Sequence, residues 1–201
     1  MRALGRGHSV VAWDPDPAAE KRLREFIGRA WPSATRLGLF PGADPENITF
    51  APSAAELAGT VDWIQENAPE REALKRDLIN ELAGAAPPDT VIASSSSGLL
   101  PSRLQQGCRH PERVVIGHPF NPVYLLPLVE VVAGEQTSQE TVDAAVAHYD
   151  DLVMHPLVVD TEIEGYLSDR LQEAVWREIL HLVKDGVATT AQLDDAITYG
   201  P

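Results

Sequence analysis

Cysteine is nearly absent from this chain: Cys108 is the only one in 201 residues. No intrachain disulfide can form, so a reducing compartment, the cytoplasm, is the expected home. Long apolar runs are missing too. Nothing approaches the roughly 18 residues of a membrane span, so no membrane association is expected. The basic start Met1-Arg2-Ala3-Leu4-Gly5-Arg6-Gly7-His8 lacks the apolar stretch of a signal peptide. Positive charge is scarce, with 16 Lys and Arg against 30 Asp and Glu and a formal charge of −14. Such a field repels phosphate backbones, which argues against nucleic acid as a partner, and it does nothing to attract a polyanionic ligand. What remains is ordinary globular composition, 44% hydrophobic and 23% charged.

Short apolar runs alternate with longer helical patterns, the mark of βαβ units around a mostly parallel sheet. Ser9 to Trp13 reads as the first strand, and Pro17 opens a helix to about Ala30. Ile48-Thr49-Phe50 and Val61 to Gln65 are the next strands, and a helix from Pro69 carries Leu74, Leu78, Ile79 and Leu82. Thr90 to Ala93 runs into the polar turn Ser94 to Gly98; Val114 to Gly117 and Leu128 to Val132 follow. A helix from about Ser138 to Asp151 precedes a last strand near Leu157-Val158-Val159. Beyond residue 160 the texture changes to helical periodicity through Leu167, Leu171, Val175, Ile179 and Leu182, with a second helix capped near Thr190. The expected fold is α/β, a Rossmann-like sheet domain over 1–160 and the start of an all-α domain over 161–201.

In a dinucleotide-binding sheet, an acidic residue at the end of the second strand binds the adenosine ribose, about 20 residues past a Gly-rich phosphate loop. Asp14, closing an apolar strand, fits the acidic position, with no adjacent Arg to accept a 2′-phosphate. Counting back from it runs off the start of the chain, so the first strand and its loop are expected to be missing. Gly5-Arg6-Gly7 is no substitute: it precedes a strand, has no third glycine, and reads better as a helix end.

Three segments carry chemistry: Ser94 to Gly98, Gly117-His118-Pro119-Phe120-Asn121-Pro122, and Leu128-Val129-Glu130-Val131. Oxidising a secondary alcohol requires removal of its proton, for which a neutral imidazole is suited. Its far nitrogen then needs an acceptor. His118 and Glu130 are twelve residues apart across a tight proline-bounded connection, Pro119-Phe120-Asn121-Pro122, and a hydroxyl of the serine turn could hold the substrate oxygen. Taken singly, each piece has a bland explanation as a strand-end His, a backbone-satisfied Glu or a turn.

Together they resemble the 3-hydroxyacyl-CoA dehydrogenase family from residue 8 to residue 200. That resemblance implies His118 as catalytic base, Glu130 as its partner and Ser97 as a group touching substrate and cofactor. It also implies Asn121 and Asp169 at the substrate, Asp14, Glu66 and Arg71 at the cofactor, NAD as that cofactor, no metal, a small-molecule substrate and a homodimer in the full-length form. The chain departs from the family pattern in two places. Pro-Gly-Phe-x-x-Asn-Arg reads Glu164-Gly165-Tyr166-Leu167-Ser168-Asp169-Arg170, and the Ser-Asn-Thr-Ser turn has become four serines. The wording of 97–102, 120–132 and 169–171 looks most like members that oxidise carnitine, so L-carnitine to 3-dehydrocarnitine is the expected reaction. A short-chain 3-hydroxyacyl-CoA substrate is the alternative, and a catalytically incompetent fragment, truncated at both ends, is the third reading.

Overall fold

The computed structural model describes residues 1–200 and divides into a five-stranded sheet, a separate two-stranded one and flanking helices. A short helix α1 (Arg2–Arg6) ends at Gly7, whose φ of 89° is the left-handed conformation that glycine adopts without penalty. The Gly5–Gly7 segment thus terminates a helix, as its place before a strand requires. Strand β1 (Val10–Ala12) pairs in parallel with β2 (Ile48–Phe50), and the helix between them, α2, spans Ala19–Leu37. It continues past the expected end at Ala30 and through Pro32. Ile27 and Trp31 pack with Leu4, Leu23 and Ile48, and that tertiary burial sustains a helix where proline removes one backbone bond.

The larger sheet comprises β3 (Trp63–Glu66), β4 (Val91–Ser94), β5 (Val114–Pro119), β6 (Leu128–Ala133) and β7 (His155–Val159), in that spatial order. Its pairings are parallel except β5 with β6, which is antiparallel. Its strands read as continuous apolar runs because both faces are covered. Ile92, Val114 and Ile116 face a cluster with Ile79 and Leu82 of α4 (Glu72–Ala85). Ala93 and Val115 face the opposite cluster with Val142, Ala145 and Tyr149 of α6 (Gln139–Asp151). Two short helices, α3 (Ala54–Ala58) and α5 (Pro101–Leu104), went unread in the sequence because four or five residues carry no period.

Two final helices follow, α7 (Ser168–Lys184) and α8 (Thr190–Tyr199), and neither has a buried residue. The cap of α8 is Thr189, one residue before the expected Thr190; its side chain takes the Gln192 N–H while Gln192 reaches back to the Thr189 N–H. No helix among the described residues is long and apolar enough to cross a membrane.

Candidate active site

The sequence places His118 just beyond its strand. In the fold β5 continues through Pro119, so His118 lies inside the ladder directly opposite Glu130. Side chains that face each other across an antiparallel pair have Cβ atoms about 5 Å apart, so the pleat itself brings imidazole to carboxylate. His118 Nδ1 lies 3.0 Å from Glu130 Oε2. The other oxygen, Oε1, accepts the backbone N–H groups of Leu167 at 3.0 Å and Ser168 at 2.8 Å. These are donors at the start of α7, where unpaired N–H groups favour negative charge. With the carboxylate accepting on both oxygens, the group Nδ1 offers it is an N–H, and in the neutral ring that leaves the lone pair on Nε2. Glu130 is fully buried, and His118 is 6% exposed.

The imidazole lies beside two tilted aromatic rings, Phe120 at 4.6 Å and Tyr166 at 5.6 Å between centroids. Tyr166 is fully buried and its hydroxyl donates to the Leu99 carbonyl at 2.7 Å, tying the start of the helical region to the serine turn. Burial pushes its phenol well above the ordinary range, so it stays a neutral donor.

The four serines that run on from the last residue of β4 are not equivalent. Ser94 Oγ donates to Glu66 Oε2, Ser95 Oγ to Asn67 Oδ1 and Ser96 Oγ to Glu70 Oε1. Ser97 is half-buried, and its hydroxyl has no hydrogen-bond partner among the described residues. It is the one serine of the run left to offer its hydroxyl to a ligand.

Other expected site residues are placed differently. Glu66, assigned to the cofactor by resemblance, is 3% exposed. Its carboxylate is taken up by Lys75 Nζ, 3.0 Å from each oxygen, by the Ala68 N–H and by Ser94. Arg71 is exposed just before α4, without a side-chain bond among the described residues. Asp14 is exposed beyond the end of β1, where Oδ1 accepts the Asp16 N–H at 2.8 Å and closes a turn. Asn121 is exposed in the β5–β6 connection. Asp169 is half-buried in the first turn of α7, next to the Ser168 N–H that holds Glu130, and forms no ion pair among the described residues. It lines a cavity of about 760 Å³ with Gly165, Glu173 and Trp176; His118 does not line that cavity, which lies to the α7 side.

Sequence reasoning missed a part-buried chain of polar side chains that ends on Gly117, the residue before His118. Tyr149 Oη donates to Gln65 Oε1 at 2.7 Å, and Gln65 Nε2 donates to Ser95 Oγ at 2.8 Å and to the Gly117 carbonyl at 3.0 Å. Its one sequence signal is the polar Gln65 inside an apolar strand.

His118, Glu130 and Ser97 come from the carboxyl edge of a parallel sheet and its antiparallel neighbour, the edge where open α/β sheets bind ligands. The family model described as "3-hydroxyacyl-CoA dehydrogenase, NAD binding domain" matches residues 1–163, and the chain belongs to that family. Among curated relatives, the L-carnitine dehydrogenase of Pseudomonas aeruginosa is 56% identical over 199 residues, covering 99% of this chain and 62% of the relative. That of Bacillus cereus is 52% identical over 200 residues, 61% of its length. The chain therefore spans about three-fifths of the curated relatives it matches. A crystal structure of 5-formyl-3-hydroxy-2-methylpyridine 4-carboxylic acid 5-dehydrogenase, an NAD+-dependent dismutase, superposes with a TM-score of 0.88 at 30% identity. It is covered to 64%, against 98% of this chain. Escherichia coli 3-hydroxybutyryl-CoA dehydrogenase shares the fold, with a TM-score of 0.86 at 24% identity, over 98% of this chain and 42% of the other.

Proposed function

We propose that this protein takes part in the NAD-dependent oxidation of a 3-hydroxy acid, L-carnitine to 3-dehydrocarnitine, with His118 as the base. The observation that carries this reading is the buried His118–Glu130 pair, in which both carboxylate oxygens are engaged and only imidazole Nε2 is left free. A base so held accepts the hydroxyl proton at Nε2, and the carboxylate 3.0 Å from Nδ1 stabilises the imidazolium that forms. Ser97, with its unpaired hydroxyl, binds the substrate oxygen; Phe120 and Tyr166, packed beside the imidazole, limit water around it. The chemistry that bound NAD would supply here is that of a hydride acceptor.

The donor set suits the two ends of that cofactor. Asp14 offers an exposed carboxylate for ribose hydroxyls, and Asn67, Ser97 and Arg71 lie at the sheet end or turn where the nicotinamide half would rest. Glu66 serves this side indirectly, by holding Ser94 and Lys75. A glycine-rich pyrophosphate loop is not among the described residues. For the substrate, the trimethylammonium of carnitine suits an aromatic face beside carboxylate charge, and Asp169 and Trp176 on one side of α7 supply both. The names of the relatives and the net charge of −14 favour this substrate over a polyanionic CoA ester. We read α7 and α8, with Leu171, Trp176, Leu180 and Ile197 exposed, as opening a helical, dimer-forming domain, and the cytoplasm as the compartment.

The deciding measurement follows NADH formation by the purified protein with L-carnitine and, separately, with 3-hydroxybutyryl-CoA. Turnover of carnitine alone is expected. Turnover of the CoA ester alone would replace the substrate and keep the reaction class; no NADH from either, with NAD binding absent by calorimetry, would remove the reading.

A further inference from the structure

Glu70 has no part in the reading above, yet the serine turn is built around it. It lies between β3 and α4, and its Oε1 receives three consecutive backbone N–H groups, Ser97 at 3.2 Å, Gly98 at 3.1 Å and Leu99 at 3.4 Å, besides the Ser96 hydroxyl. Successive N–H groups converging on one point form a concavity that binds anions. Here the anion comes from the chain itself. Its Oε2 lies 3.6 Å from Lys75 Nζ, an ammonium that is 1% exposed and also bonded to both oxygens of Glu66. Such a buried cation is costly unless its partners are fixed. Glu66 holds the start of the turn through Ser94, and Glu70 holds its middle. Burial alone would raise the Glu70 carboxyl; the Ser96 hydroxyl, the Gly98 N–H, the Lys75 charge and the Leu99 N–H together hold it below the usual carboxylate range.

The consequence for Ser97 is geometric. Its N–H is bound to Glu70 while its Oγ is unbound, so the backbone on both sides of that residue is fixed and only the hydroxyl remains to serve a ligand. From the other side, Tyr166 holds Leu99 and packs against His118, so the turn and the base share one frame. We propose that Glu70, braced by Lys75, is a positioning residue that sets the Ser97 hydroxyl against the reacting oxygen. This rests on the reading of Ser97 as the substrate-hydroxyl group.

A double-mutant cycle separates positioning from mere stability. Glu70→Ala is expected to lower kcat/KM about 10- to 100-fold, mostly through kcat, since a misplacement of about 1 Å can cost that much. In a Ser97→Ala background the same change is expected to cost less than about threefold, because nothing is left to position. Glu70→Gln keeps an acceptor oxygen and is expected to recover most of the activity. Equal losses in both backgrounds, or a Ser97→Ala enzyme with unchanged turnover, would overturn the proposal. Amide hydrogen exchange tests the hold without any turnover: Ser97, Gly98 and Leu99 should exchange at least about tenfold faster in Glu70→Ala, with the β5 amides unchanged. Unaltered exchange at those three amides would overturn it as well. Absence of all dehydrogenase activity would instead strike the functional reading, and the exchange result would still decide whether Glu70 holds the turn.

Discussion

Two sets of polar side chains line the same end of the sheet, and they differ in how they are satisfied. Glu130, Glu66 and Lys75 are buried with their charges met by protein partners, and His118 is buried with Nδ1 paired and only Nε2 open. Ser97, Asn121, Arg71 and Asp169 are half-buried or exposed, with side chains that make no hydrogen bond among the described residues. A charge removed from water is tolerated only when its hydrogen-bonding capacity is met, so the first set reports what the fold holds still. The second set is solvated at no such cost and is free to exchange water for a ligand. On the proposed reading the fully paired groups orient, and the open ones, His118 Nε2 among them, are those that would meet a ligand.

The largest expected effect is at the buried pair. His118→Ala should cut turnover about 10²- to 10⁴-fold while leaving NAD affinity nearly unchanged, a contrast that steady-state kinetics and calorimetry would reveal. Unchanged turnover would show that burial and pairing at this edge do not mark the base. Glu130→Ala strips the acceptor from Leu167 and Ser168 N–H and from His118, and a loss of about 1–3 kcal/mol is expected in urea unfolding for each donor left buried and unpaired. Glu130→Gln keeps the shape, and should cost less stability while shifting the pH dependence of turnover.

Gly117 tests the floor beneath the pair. A Cβ there would stand 1.8 Å from the Tyr149 hydroxyl oxygen, so Gly117→Ala must displace Tyr149 and break its bond to Gln65. A destabilisation of about 1–3 kcal/mol is expected by denaturant titration. Away from the site, burial, with a smaller push from nearby His8, lowers the His148 imidazole to about 4 against the pull of Asp151 and Asp62. With the folded value below the ordinary 6.5, the unfolded chain takes up the proton first. The His148 contribution is therefore complete above that ordinary value and is lost as pH falls through the window toward about 4. Unfolding midpoints measured across that window should decline, and His148→Phe, which keeps a ring to stack on Trp63, should flatten the decline.

The smallest effect on stability belongs to the open set. Asp169→Asn should leave the unfolding midpoint within about 0.5 kcal/mol, as surface changes do, yet weaken carnitine use more than NAD binding. A stability loss with no change in carnitine use would return Asp169 to a structural role.

Much of this was legible in the residues. The apolar runs marked the strands of the large sheet, because strands buried on both faces must be continuously apolar. The spacing of His118 and Glu130 across a proline-bounded turn pointed to a pair, and Gly7 to a helix end. Less legible were the extent of α2 through Pro32, the burial of Glu66 and the partition of the serine run. Each depends on contacts far along the chain: Leu4 and Ile48 against α2, Lys75 against Glu66, Glu70 against Ser96 to Leu99.

By itself the sequence determined the α/β pattern, the reaction-class motif and the candidate acid–base residues, since local periodicity and motif spacing are written in neighbouring positions. Only the tertiary structure decided that His118 and Glu130 are direct cross-strand partners and that the start of α7 supplies the donors to the carboxylate. It also decided which of four identical serines is free. Identical residues in a row differ only in what the fold brings opposite them. Here Glu66, Asn67 and Glu70 occupy three hydroxyls and leave the fourth open.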